Sequence, residues 1–69
     1  MNTMTITPSY STQEKLRIFK AFQAVQESGK YNMIMDAGSA ALEAGLARWE
    51  YNYVIKHYEE LYELAEQNA

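Results

Sequence analysis

The chain has 69 residues, which is enough for one small domain but not for a second hydrophobic core. The absence of Cys excludes disulfide bonds, thiolate metal ligands and Cys nucleophiles. A net charge of −3 weighs against direct nucleic-acid binding, which requires clustered Lys and Arg side chains. Because a domain near this size buries only about 60% of its unfolded surface, we expect stability to come from oligomerisation or from tight helix packing.

The first ten residues, MNTMTITPSY, alternate Thr with Met4 and Ile6 before Pro8. Alternation of this kind predicts an extended arm over residues 1–10, but one strand without a partner is not stable. We therefore expect either a flexible tail or an arm that packs across a neighbouring subunit. No signal-peptide pattern opens the sequence and no apolar run approaches the ~20 residues of a membrane span. These features predict a cytoplasmic protein that does not contact membranes.

A first helix is predicted from about residue 11 to residue 28. Ser11 and Glu14 have the spacing of a capping box, in which each side chain accepts a hydrogen bond from the other residue's backbone N–H. Gly29 suits the left-handed conformation that ends many helices. The predicted inward face is formed by Ile18, Phe19, Phe22 and Val25.

A second, shorter helix is predicted from about residue 33 to residue 44. Asn32 is a suitable N-cap, and Gly45 supplies the signal for its end. The middle of this helix consists of small residues, which let two helices approach closely but have little apolar bulk to bury. The connections are short, so neighbouring helices must fold back sharply on each other.

A third helix, from about residue 46 to residue 67, contains the only Trp, the only His and four of the six Tyr. Its predicted buried arc consists of Tyr51, Val54, Ile55, Tyr58, Leu61, Tyr62 and Ala65. Its apolar and aromatic side chains together span roughly 240° of the helical wheel, compared with about 100° for a typical surface helix. A helix with so wide an apolar arc is predicted to be central to a bundle or shared with another chain.

One series of residues resembles a known family. Ser28-Gly29, Asn32-Met33, Asp36, a run of small residues, Gly45 and Tyr58 follow one another along the chain. This pattern is similar to that of a family of small bacteriophage-encoded proteins of unknown function, over roughly residues 19–62, although here two residues rather than one separate Met33 from Asp36. The resemblance implies a phage origin, an accessory role and no catalytic residues.

Residue patterns that support catalysis are missing from the sequence. His57 is the only conventional base, and no nucleophile motif lies near it. Glu59, Glu63 and Glu66 share a helix face that is typical of a solvated surface. The three Gly are isolated, which excludes a phosphate-binding loop. We therefore predict that the protein is not an enzyme and has no cofactor or metal site.

The leading candidate site is an aromatic stripe formed by Trp49, Tyr53 and His57, whose spacing aligns the three rings along one side of the third helix. Arg48 borders this stripe, and Trp, Tyr and Arg are the residues most enriched in interface hot spots. These four residues are predicted to form a protein interface. In the alternative interpretation the stripe packs on the second helix, whose small residues leave room for large rings.

A second candidate site combines Tyr31 and Asn32 of the connecting loop with Arg48 and Trp49. Such a group could stack on a base and contact a phosphate. One Arg and one Lys in this region are few for a phosphate-rich ligand, so nucleotide binding ranks below protein binding.

These observations predict an all-α fold, namely a small three-helix bundle over residues 11–69 with an N-terminal arm. The favoured function is a non-catalytic protein-binding module that forms a dimer or higher homo-oligomer. The phage resemblance adds that its target is a host protein and that it acts as an inhibitor of host defence. The alternatives are an oligomer that sequesters a nucleotide and a purely structural homo-oligomeric phage component.

Overall fold

A computed structural model describes residues 10–68, which form four helices: α1 (Thr12–Ser28), α2 (Ala37–Ala44), α3 (Arg48–Lys56) and α4 (Tyr58–Gln67). The all-α prediction is confirmed over these residues, where no strand occurs. The predicted arm lies outside the described residues except for Tyr10. None of the four helices has the length and hydropathy that a membrane span requires.

Helix α1 begins and ends as its sequence predicts. The Glu14 N–H donates to Ser11 Oγ at 3.2 Å, and the Ser11 N–H donates to Glu14 Oε1 at 3.1 Å. At the other end Gly29 has φ 72°, a left-handed conformation that is easier for Gly than for residues with a Cβ. The four residues of the predicted inward face, Ile18, Phe19, Phe22 and Val25, are all buried.

Helix α2 begins later than predicted because two side chains first fold the chain into a tight turn. Asn32 Oδ1 accepts hydrogen bonds from the N–H groups of Ile34 and Met35, and the Asp36 carboxylate accepts one from the Asn32 N–H at 3.0 Å. Asn32 therefore caps this turn, and regular helix starts only at Ala37.

The prediction of one continuous helix over residues 46–67 is wrong, since the backbone breaks at His57 (φ −119°, ψ 31°) and separates α3 from α4. Helix α3 runs toward the start of α1, where Glu50 pairs with Arg17 and the Tyr53 ring packs on Tyr10. A straight continuation would carry residues 58–67 past the start of α1. The break instead returns α4 to the middle of α1.

The core lies where α1 meets the other three helices. The Phe22 and Tyr51 rings are 5.0 Å apart, and Phe19 packs on Tyr58 of α4 at 5.4 Å. The Tyr51 hydroxyl donates to the Met33 carbonyl at 2.6 Å, which ties α3 to the turn before α2. The buried apolar residues are Ile18, Phe19, Phe22, Val25, Ala40, Ala41, Leu46, Tyr51, Val54 and Leu61.

The predicted buried arc of the third helix is correct only in part. Tyr51, Val54 and Leu61 are buried, but Ile55 is 37% exposed and Tyr62 is 44% exposed. A single helical wheel cannot describe both α3 and α4, because the break at His57 changes the side that faces α1.

Candidate functional site

Helix α2 packs its small residues inward and exposes Leu42, its one large apolar residue. Ala40 and Ala41 are buried, whereas Leu42 is 82% exposed. In the preceding turn Ile34 is 67% exposed and Met35 is 83% exposed. We call Ile34, Met35 and Leu42 the α2 face.

Met35 and Leu42 of the α2 face lie on the same side of the chain, and Ile34 borders that side. The Asp36 N–H donates to the Asn32 carbonyl and the Ala40 N–H to the Asp36 carbonyl, so helical spacing extends from the turn into α2. Residues three, four, seven or eight positions apart then share one side. Single exposed apolar residues are normal in proteins, but a contiguous group of them marks an interaction surface.

The first residue of α3, Arg48, borders the α2 face. The Arg48 guanidinium lies over Gly38, so that a Cβ atom added at Gly38 would be 3.7 Å from Arg48 Nη1. Arg48 has no carboxylate partner among residues 10–68. Trp49, which follows it, is 65% exposed. The α2 face thus adjoins one unpaired cation, and the next residue of α3 carries an exposed indole ring.

The other two residues of the aromatic stripe are partly packed. The Tyr53 ring lies 4.7 Å from the Tyr10 ring and 4.6 Å from the His57 ring. His57 Nδ1 is 2.7 Å from Glu60 Oε1, which holds the His57 side chain against the start of α4. Burial raises the pKa of Tyr10, and the nearby Glu50 carboxylate adds to the shift. Trp49 is therefore the stripe residue most available to a partner.

The candidate loop residues Tyr31 and Asn32 use their polar groups within the chain. The Tyr31 hydroxyl donates to Glu43 Oε1 at 2.9 Å, and Lys30 Nζ lies 2.9 Å from Glu43 Oε2. These hydrogen bonds lower the pKa of the Glu43 carboxyl and raise the pKa values of Lys30 and Tyr31. The cluster fastens the loop to α2, as Asn32 does by capping the turn.

The sequence reasoning missed the α2 face, although a signal for it was present. On a helical wheel of residues 33–44, Met35 and Leu42 share one side, and the opposite side is occupied by Ala37, Ala40 and Ala44. Ile34 and Ala41 lie next to each other at the border between the two sides. Both sides of this wheel are apolar, and they differ only in the size of their residues. The wheel does not show that the side with the smaller residues faces the core.

Neither a metal site among the described residues nor a related protein indicates what the chain does. Among residues 10–68, no three His, Asp or Glu side chains lie close enough together to hold a metal ion. No protein family, curated protein or solved structure matches the chain. The candidate site is therefore defined by its own geometry.

Proposed function

We propose that this chain is a non-catalytic protein-binding module that recognises its partner through the α2 face, Arg48 and Trp49. The observation that supports this proposal is the reversed amphipathicity of α2. A surface helix normally turns its large apolar residues toward the core. Here the inward side consists of Ala40 and Ala41, whereas Leu42 projects outward, as do Ile34 and Met35 in the preceding turn. Folding alone does not account for that arrangement.

The size of the surface suits a transient complex. Burying an exposed Leu, Ile or Met side chain contributes about 1.5–3 kcal/mol. Association costs several kcal/mol in lost freedom of motion and in ordered side chains. Three aliphatic side chains with Trp49 therefore fit a weak complex with a Kd no tighter than about 1 μM, which corresponds to about −8 kcal/mol.

A protein partner is favoured over a nucleotide because of the loop contacts. The Tyr31 hydroxyl is bonded to Glu43, a carboxylate that would repel a phosphate at that position. The α2 face also consists of aliphatic side chains, which do not stack on bases. That the partner is a host protein, as the phage resemblance implies, is part of the proposal.

The proposal can be tested by site-specific photo-cross-linking in cells that naturally produce the protein. A photoreactive phenylalanine analogue replaces Leu42 on the α2 face, and in a matched control it replaces Glu27 on the exposed side of α1. We expect a discrete cross-linked protein with the analogue at position 42 but not at position 27. Adding Met35→Gln to the position-42 variant should weaken the adduct.

Equal cross-linking at the two positions would contradict the proposal. So would an adduct whose mass is a multiple of the chain's own 8.0 kDa, because the α2 face would then serve self-assembly. Native mass spectrometry of the protein purified from the same cells distinguishes these cases and also detects a bound nucleotide as a small added mass.

A further inference from the structure

Helix α4 has a second exposed surface, centred on Tyr62. The Tyr62 ring packs edge-on against Phe19 but is 44% exposed. A groove runs along each side of it. One groove is lined by Gln23, Ala65 and Glu66, and the other by Tyr58, Glu59 and Glu63. We call these the Tyr62 grooves.

The negative charge of the chain is concentrated at these grooves. Helix α4 contains four Glu and no Lys or Arg, which gives it a charge of −4, whereas the whole chain has a net charge of −3. The rest of the chain therefore has a slight positive charge. Glu59, Glu63 and Glu66 make no ion pair with any residue between 10 and 68.

Not all of these carboxylates stabilise α4, so helix stability does not explain why they are present. Glu59 and Glu60 lie in the first turn, where the helix dipole favours negative charge. Glu66 lies in the last turn, where the same dipole disfavours a carboxylate by about 0.3–1 kcal/mol. Glu59 and Glu63 are four residues apart, and like charges at that spacing repel. A cationic partner would offset both effects.

We infer that the Tyr62 grooves bind a basic amphipathic helix of a partner protein. Arg and Lys side chains can lay their aliphatic stems along an apolar groove while their charged ends pair with carboxylates at its rim. The exposed Tyr62 ring adds a cation–π contact. Glu59, Glu63 and Glu66 extend over roughly 10 Å of helix, a distance that Arg side chains at i, i+4 and i+7 of a partner helix would match.

This surface differs in chemistry from the α2 face, which is aliphatic and borders a cation, Arg48. The inference does not depend on the function proposed above, and either can fail alone. A partner that suits one surface does not suit the other.

The test uses the full chain and three synthetic helical peptides of about four turns each. The first has Arg at i, i+4 and i+7 around Leu residues, the second has the same composition in scrambled order, and the third has Ser in place of Leu. Binding is measured by titration calorimetry at low and high salt, and the contact surface by amide chemical shifts. We expect the first peptide to bind most tightly and to shift resonances of α4 and Gln23.

Matched variants locate the effect. Glu63→Gln combined with Glu66→Gln should weaken binding of the first peptide by about tenfold or more, which corresponds to about 1.4 kcal/mol. Glu27→Gln removes an exposed carboxylate from α1 and should leave the affinity unchanged. Because the double variant relieves unfavourable charges, its melting temperature should be unchanged or higher.

Three results would overturn the inference. Equal binding of all three peptides would mean non-specific attraction between opposite charges. An equal loss of affinity in Glu27→Gln would mean that the position of the carboxylates is unimportant. The third result is a homo-oligomer that buries α4 in the wild-type protein and dissociates in the double variant, as measured by sedimentation. It would mean that a second copy of the chain occupies the grooves.

Discussion

Helices α1 and α2 lie side by side but place their large residues on opposite sides. Helix α1 buries Phe19 and Phe22, and its exposed side is polar apart from Ala24. Helix α2 buries Ala41 and exposes Leu42. In α1 the large apolar residues are buried and stabilise the fold. In α2 only the small residues of the inward side contribute to the core. The outward side of α2 is the surface that we propose for partner binding.

The largest loss of stability should come from truncating a buried side chain of α1. Phe22→Ala removes a ring that is 1% exposed and packs on Tyr51, which should cost about 3–5 kcal/mol of unfolding free energy. At roughly 0.05–0.15 kcal/mol per residue, that is a large share of the stability of so small a domain. Urea denaturation followed by circular dichroism measures the loss, and the variant is expected to be largely unfolded.

The matched control for Phe22→Ala is Met35→Ala on the α2 face, where the side chain is 83% exposed. This change should alter the unfolding free energy by no more than about 0.5 kcal/mol. Comparable losses in the two variants would mean that Met35 contributes to the core and that the comparison is wrong.

The next effect tests how closely α2 approaches its neighbours. Ala41→Leu inserts a large side chain on the buried side and should destabilise the fold by about 1–3 kcal/mol through overpacking. Ser39→Leu adds the same side chain at an exposed position and should be nearly neutral. Thermal melts of the two variants check this, and a stable Ala41→Leu protein would show that α2 is not closely packed.

A smaller effect tests the link between α3 and the turn before α2. Tyr51→Phe keeps the ring but removes the hydrogen bond to the Met33 carbonyl, which should cost about 1 kcal/mol. Tyr53→Phe is the control, because the Tyr53 hydroxyl makes no hydrogen bond to another residue between 10 and 68. Equal unfolding free energies for the two variants would show that the Met33 contact contributes nothing.

The same hydroxyl should give the fold an alkaline limit. Burial raises the pKa of Tyr51 in the folded state, a shift that the positive charge of Arg48 partly offsets. A raised folded-state pKa contributes stability that is fully present below the unfolded value of about 10 and is lost as pH rises through the folded value. Wild type should therefore lose stability more steeply above that pH than Tyr51→Phe. Tyr10 and Tyr31 are shifted in the same direction and are present in both proteins, so the difference isolates Tyr51.

The features that the sequence predicted correctly are local ones. The Ser11–Glu14 capping box and the left-handed conformations at Gly29 and Gly45 depend on a few neighbouring residues. The buried side of α1 was also clear, because one side is strongly apolar and the other is polar. These features could be assigned without knowing where any other helix lies.

The features that the sequence did not predict depend on packing between helices. Nothing in the residues around His57 signals a helix end, and the break is understandable only once α3 is seen to run toward the start of α1. For α2, both sides of the wheel are apolar. Which side faces the core depends on how closely the helix can approach its neighbours. With Ala40 and Ala41 inward the approach is close, but a wheel of one helix does not show the neighbours.

The smallest effect on stability is expected at the residue that matters most for the proposed function. Leu42→Gln changes an 82% exposed side chain, and Leu and Gln have similar helix propensities, so the unfolding free energy should change by less than about 0.5 kcal/mol. Leu46→Gln makes the same change four residues later at a 7% exposed position and should be strongly destabilising, because it buries an amide. If Leu42→Gln instead destabilises as much as Leu46→Gln, Leu42 stabilises the fold and α2 is not reversed. The photoreactive analogue can also be placed at Met35, which leaves position 42 free for this change. If the fold tolerates Leu42→Gln while cross-linking from position 35 to the partner is lost, the outward side of α2 serves binding, as proposed.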